Sequence, residues 1–232
     1  MMRLQLVISC EHASNHIPKG YQHLFKGAEE ELNSHIGWDP GAIEVSRSVA
    51  EAFDVKPFIY PYTRLLIEPN RSLDNAQLFS RYSQSLDEKE KSRLIENYYQ
   101  PHRNAVETEI RQMIEKGPVL HLGIHTFTPI WNGEKRQVDI GVLFDPNRSE
   151  ETRFSNRLIE ILKQRSDFEI EANEPYKGTE DGFTTYLRTL FGEGDYLGLE
   201  IEISQGLDDK KRVVGDLIVD SLKIVFEEFK KL

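Results

Sequence analysis

Cysteine is nearly absent from this chain, with Cys10 alone among 232 residues. That excludes an intrachain disulfide and every metal site built on paired cysteines, and it fits a reducing compartment. Positive charge is also in deficit. Lys and Arg number 29 against 39 Asp and Glu, a formal charge of −10, and such a field disfavours contact with phosphate backbones, so no nucleic-acid partner is expected. Long apolar runs are missing too. The stretch before Ser9 falls far short of the ~20 apolar residues of a membrane span or the core of a secretory signal, which predicts a cytoplasmic protein with no membrane partner. No low-complexity or Gly/Ser-rich stretch, internal repeat or shift in composition interrupts the sequence, so one domain is expected over residues 1–232. The GxSxG elbow, the GxxxxGK[ST] loop, GxGxxG and HExxH are all absent, which removes the commonest sequence signatures of serine hydrolases, P-loop and dinucleotide-binding proteins, and helix-borne zinc sites.

What is present is an alternation of strand and helix patterns. Residues 4–10 form an apolar run closed by the polar cluster Glu11-His12-Ala13-Ser14-Asn15-His16, which predicts a strand ending in a loop. Asp39-Pro40 opens a segment where Ile43, Val45, Val49 and Phe53 recur at helical spacing. A helix is predicted over 40–53, with Asp39 as a plausible N-cap and Pro40 at the first position. Residues 56–60 and 64–68 read as short strands around Pro61, and Pro69-Asn70-Arg71 as a turn. A helical pattern covers 87–116 and must kink or split at Pro101. Further strands are predicted over 119–125, 138–144 and 197–203, and helices over 151–164, 183–190 and 208–230. The segment 126–138, which holds Trp131 and Gly133, reads as a loop bordering a pocket or as a solvated hairpin tip. The alternation predicts an α/β sandwich with a largely parallel sheet, whose ligands sit beyond the carboxyl ends of its strands.

Three predicted strands end in groups that suit a metal hydrolase: Glu11-His12 after the first, His125 on the strand after the long helix, and Glu200 with Glu202 in the last. Histidines and carboxylates converging from separate segments can hold one open-sided zinc, and a free carboxylate nearby can carry a proton from water to a leaving amine. Within the last strand Glu202 is favoured as general base. A planar guanidinium at Arg71 suits a bidentate contact with a substrate carboxylate. Arg64 and Arg136 are weaker candidates for the same task, and His121 is a weaker candidate ligand than His125.

Six short motifs occur in an order that resembles the N-formylglutamate amidohydrolase family: residues 10–18 (CEHASNHIP), 35–42 (HIGWDPGA), Asn70-Arg71, 98–102 (YYQPH), 125–129 (HTFTP) with Asn132-Gly133, and Glu202-Ile203-Ser204-Gln205. The resemblance covers nearly the whole chain. It implies a zinc-dependent amidohydrolase with a phosphorylase/hydrolase-like three-layer α/β sandwich, a mixed and mostly parallel central sheet, and a likeness to zinc carboxypeptidases. It implies His12 and His125 as metal ligands, Asn70 and Arg71 as substrate-binding residues and Glu202 as the catalytic carboxylate. Two positions depart from these patterns. Asn15 stands where carboxypeptidase-like sites carry a glutamate ligand three residues after the first histidine, so the acidic ligand comes from elsewhere. Asp39 is the first choice and Glu11 the second, Glu11 serving otherwise to orient a ligand histidine. Ser204 stands where the family's late motif carries arginine.

The leading expectation is zinc-dependent hydrolysis of the amide of a small N-acyl amino acid such as N-formylglutamate, an acidic small molecule. A binding module that captures an acidic metabolite on the same scaffold is the alternative from another class, since fold does not fix function. A zinc peptidase or esterase would keep the metal chemistry and change the pocket.

Overall fold

The structure, a computed structural model, describes residues 4–229. In chain order its elements are β1 (Gln5–Cys10), α1 (Glu29–Leu32), α2 (Ala42–Phe53), β2 (Phe58–Ile59), α3 (Glu88–Leu94), α4 (Gln100–Ile114), β3 (Val119–Phe127), β4 (Ile130–Trp131), β5 (Glu134–Lys135), β6 (Ile140–Leu143), α5 (Ser149–Arg165), β7 (Ile170–Ala172), α6 (Phe183–Leu190), β8 (Tyr196–Ser204) and α7 (Lys211–Phe229). Six strands form the central sheet in the order β2-β1-β3-β8-β6-β7. Strands β2, β1, β3 and β8 run parallel; β6 is antiparallel to β8, and β7 parallel to β6. This is the α/β sandwich with a largely parallel sheet that the alternation of patterns predicts, and its mixed sheet is the one that the family resemblance implies.

Side-chain alternation along the strands divides the sheet chemically. One face, with Leu6, Ile8, Leu122, Ile124, Leu199 and Ile201, packs into a continuous apolar core with α2, α5 and α7. The opposite face carries Val7, Val119 and Tyr196 against Val106 and Ile110 of α4 and Phe183 and Leu187 of α6. It also carries the polar side chains. His121 bridges Ser9 Oγ (2.7 Å) and the Tyr196 hydroxyl (2.8 Å) in the sheet interior. Register then sets Gly123 beside Glu200 and His125 beside Glu202 towards the carboxyl ends of β3 and β8. Burial pushes His121 down to about 4, so this imidazole is a neutral structural link.

Local differences from the sequence reading have physical causes. Residues 64–68 are not a strand: their backbone forms turns, and Leu65, Leu66 and Ile67 bury into a satellite core with Phe25, Leu32, Leu78, Leu94 and Tyr99. Helix α2 begins after Gly41 at φ 92°, a left-handed conformation natural to glycine, and the Asp39 side chain turns to His12, His125 and the Thr126 N–H instead of capping it. The long helix opens into a π turn over Ile95–Tyr99, and Pro101 falls in the first turn of α4, where its missing N–H costs nothing. Strand β7 had no expectation. The last helix starts at Lys211 after a 3-10 stretch, Gln205–Lys210; Met1, Arg3 and Lys230 lie outside the described residues. Segment 126–138 holds the β4–β5 hairpin, turned by Asn132 and Gly133, both at positive φ. Among the described residues no helix is long and apolar enough to cross a membrane.

An ion network ties the sandwich together away from the polar strand ends. Glu151, fully buried, accepts from Arg188 (3.1 Å), Gly198 N (3.0 Å) and Asp145 N (3.0 Å), and pairs with Arg148 (3.0 Å). Removing one member strands buried charge. Glu151→Ala is therefore expected to lower unfolding free energy by about 3–5 kcal/mol in denaturant titration, and a loss below about 1 kcal/mol would show that Arg188 and Arg148 find other partners.

Candidate active site

Every charged group at this site stands on a loop or strand end that the parallel sheet directs to one edge. His12 follows β1 by two residues, Asp39 precedes α2, and His125 lies near the end of β3. The Asp39 N–H bonds the His12 carbonyl (2.9 Å), which locks the two loops together. The Nδ1 atoms of His12 and His125 are 3.1 Å apart, and Asp39 Oδ2 lies 3.2 Å from the first and 3.0 Å from the second. All three residues are buried. Donor atoms bound to a tetrahedral zinc at 2.0–2.1 Å stand about 3.3 Å from one another, so this triangle has the edge lengths of three ligands around one such ion. Two facing imidazole nitrogens and a carboxylate oxygen are all lone-pair donors, the chemistry of a cation site. The residues present therefore fit a zinc ion.

The opposite ring nitrogen of each histidine meets a carboxylate. His12 Nε2 lies 2.6 Å from Glu68 Oε1, and His125 Nε2 lies 3.3 Å from Glu11 Oε2. Carboxylates in this position fix the ring and raise its basicity as a ligand. Glu68 is braced in turn by Arg64 Nε (2.6 Å) and the Asn70 N–H (3.0 Å). Burial opposes its charge, yet Arg64 and His12 hold its carboxyl well below the usual range. Glu11 is held low as well: burial is outweighed by His102, 3.3 Å from Oε1, and by His125. For His125 burial alone would lower the pKa, and Asp39 and Glu11 beside it raise it well above 6.5. The site draws positive charge to this point.

Glu202 behaves differently. It is buried, its Oε2 has no hydrogen-bond partner, and burial, reinforced by Asp39 and Glu200 against the pull of His125 and Arg64, pushes it up to about 8. Its neighbour Glu200 accepts from Thr184 Oγ1 (2.8 Å). Both carboxylates line, with His12, Asp39 and His125, a cavity of about 720 Å³.

Asn70 and Arg71 also line the cavity. Asn70 Oδ1 accepts the Phe183 N–H (2.7 Å), which turns its amide NH2 away from that contact. Arg71 Nη1 donates to the carbonyls of Asn70 (3.1 Å) and Asp181 (2.8 Å), while its Nε and Nη2 have no partner among the described residues. The loop that carries this pair is gripped from below. Tyr99 donates its hydroxyl to the Arg71 carbonyl (2.7 Å), and the buried Arg103, stacked on Phe183 and Tyr186, donates to the Pro69 carbonyl (3.0 Å).

The structure thus brings together His12, Asp39, His125, Glu202, Asn70 and Arg71, with Glu11 placed behind His125 rather than at the donor triangle. It does not bring Asn15 or Arg136 to the cavity wall. Asn15 bonds Asn33 (2.9 Å). Arg136 donates through Nη1 to the Thr128 carbonyl (3.3 Å) and the Tyr176 hydroxyl (3.2 Å) and stacks on Phe127, Trp131 and Tyr176, which braces the hairpin. Glu68 had no place in the sequence reading. A glutamate directly before Pro69-Asn70-Arg71 was its only available signal.

No curated protein matches the chain by sequence. Among solved structures, an Agrobacterium tumefaciens gene product aligns over 95% of this chain and 91% of its own at 27% identity, with a TM-score of 0.77. An N-formylglutamate amidohydrolase from Ralstonia eutropha aligns over 98% and 96% at 17% identity and TM-score 0.68. The sequence model of the N-formylglutamate amidohydrolase family matches residues 4–207, which covers β1 through β8 and all of the residues gathered at the cavity; the chain belongs to the N-formylglutamate amidohydrolase family.

Proposed function

We propose that this hydrolase cleaves the amide bond of a small N-acyl amino acid, formyl compounds among them, with one zinc ion as cofactor. The observation that supports this reading above all is the triangle of His12, Asp39 and His125 donor atoms beside an unpaired, buried Glu202 carboxylate. A passive binder has no use for such a carboxylate, whose burial without a partner costs stability.

His12, Asp39 and His125 would hold the metal. Zinc bound there supplies Lewis acidity towards the amide carbonyl and makes water nucleophilic near neutral pH. Glu68 and Glu11 keep the two imidazole rings turned with Nδ1 inward. Glu202 accepts the proton from the attacking water and passes it to the departing nitrogen. The C–O bond forms by addition of the water oxygen to the carbonyl carbon, and the C–N bond then breaks as the nitrogen takes the proton from Glu202, so the products are a carboxylic acid and a free amino acid. Arg71 offers Nε and Nη2, two parallel donors, to the substrate carboxylate, and the Asn70 amide adds a further donor beside it. Arg64, paired with Glu68 and 3.5 Å from Asp39, offsets negative charge around the triangle.

Three outcomes test the assignment. Elemental analysis of purified protein should find about one zinc per chain, and the His12→Ala, His125→Ala double variant should retain almost none; full occupancy in that variant would move the metal elsewhere. Glu202→Gln preserves shape and removes the base, so turnover of an N-acyl amino acid should fall about 10²–10⁴-fold with zinc content unchanged. An active Glu202→Gln protein would exclude the proton-transfer role. Arg71→Lys keeps the charge and loses the planar fork; steady-state kinetics should show kcat/KM for a carboxylate substrate reduced by about 10–100-fold, the value of a charge-assisted contact. Unchanged kinetics would dismiss the anchor.

A further inference from the structure

The cationic side chains of the cavity are already engaged, with one exception. Arg64 is bonded to Glu68 and faces Asp39. Lys177 Nζ pairs with Glu174 (2.8 Å) and the Asn173 carbonyl (2.9 Å). Arg81 is two-thirds exposed and pairs with Glu31 and with the Tyr82 hydroxyl. Arg71 alone has no carboxylate partner among the described residues, and its Nε and Nη2 make no hydrogen bond there. Acidic groups are not in short supply on the same walls, where Glu180, Asp181 and Glu200 stand. One substrate carboxylate has a counter-charge here. A second would enter a region of like charge, which opposes binding.

The mouth of the cavity supplies a different surface. Ile36 is 45% and Trp131 51% exposed, and both line the cavity, as do Leu65 and Phe79. Trp131 does not hang free. The Arg136 guanidinium lies 5.4 Å from its ring centroid and is stacked on Phe127 and Tyr176 as well, and His35 meets the indole edge-on at 6.5 Å. A large aromatic fixed in an exposed position beside an exposed isoleucine is the composition of a binding surface, not of an ordinary solvated tip. The volume of about 720 Å³ also lies within the roughly 300–1,000 Å³ of pockets that enclose ligands of drug size, which leaves room beyond a formyl group and a carboxylate.

We propose that the preferred substrate is a monoanionic N-acyl amino acid with an apolar or aromatic side chain, its single carboxylate on Arg71 and its side chain against Ile36 and Trp131, rather than a dicarboxylate. This rests on the amidohydrolase reading above. The ordering of substrates follows from charge and apolar area together: the glutamate compound loses the apolar contact and brings an unmatched second carboxylate.

The test is a panel of N-formyl-L-phenylalanine, N-formyl-L-leucine and N-formyl-L-glutamate with the zinc-loaded protein. The kcat/KM of the phenylalanine and leucine compounds should exceed that of the glutamate compound at least ~10-fold, in keeping with the discrimination of apolar pockets. Trp131→Ala, a change at an exposed position that the fold tolerates, should cut the phenylalanine-to-glutamate ratio by about tenfold without altering zinc content. Calorimetry on the Glu202→Gln protein reads binding apart from turnover and should give a lower Kd for the phenylalanine compound. A preference for the glutamate compound, or a ratio that Trp131→Ala leaves unmoved, overturns the inference while the amidohydrolase reading stands. No hydrolysis of any member of the panel or of its N-acetyl counterparts overturns both.

Discussion

Two buried imidazoles, each held at one nitrogen by a carboxylate and aimed with the other at a shared point, are the arrangement on which the rest of this structure depends. Burying so many ionisable groups is costly unless each has a partner. The chain meets that requirement by pairing His12 with Glu68 and Asp39, and His125 with Glu11 and Asp39, while Arg64 faces both Glu68 and Asp39. Glu202 Oε2 and His125 Nε2, the latter 3.3 Å from Glu11 Oε2, are the atoms of this network left without a hydrogen bond. Buried polar atoms left unpaired within a paired network are candidates for chemistry rather than for stability.

The sheet makes the convergence possible. Parallel β1, β3 and β8 end on the same side, and alternation sends His121, Gly123 and His125 of β3 to one face together with Gly198, Glu200 and Glu202 of β8. Small residues make room for large ones in this layer. A side chain at Gly123 would crowd Glu200 Cγ at 3.3 Å, and at Gly141 on β6 it would collide with the Glu174 carbonyl and press on Glu202 Cβ at 3.4 Å. The catalytic carboxylate proposed here thus sits in a slot bounded by backbone, which limits where it can point.

Much of this was legible in the sequence, and the reasons for success and failure are specific. His12 and His125 stood out because a polar histidine closes an apolar run at a strand end. Asp39 was ambiguous from local pattern alone, since Asp-Pro before a helix is an N-cap signal; it took the family motif to favour ligation, and the helix is in fact entered through Gly41. Glu68 escaped because residues 64–68 look like a strand, and only the turns at Arg64–Ile67 fold its carboxylate back on His12. Arg136 looked like a ligand-facing cation because its partner Tyr176 lies 40 residues away, a contact that no local period encodes. The resemblance to one family was visible in six short motifs because catalytic geometry fixes residues point by point, whereas the loops between them are free to vary.

The π turn between α3 and α4 reaches further than its five residues. One extra residue in a helix turns everything beyond it by about 100° relative to what precedes. Before the turn, Leu94 points into the satellite core under the loop that carries Arg64 and Asn70; after it, Val106 and Ile110 point into the sheet. Tyr99, His102 and Arg103 fall at the change of phase, and their hydrogen bonds reach Arg71, Glu11 and Pro69 respectively. A single phase slip in one helix therefore lets the same stretch of chain serve as a wall for two cores and as a common footing for both sides of the cavity, so the side that carries Glu11 and the side that carries Arg71 are tied to one another.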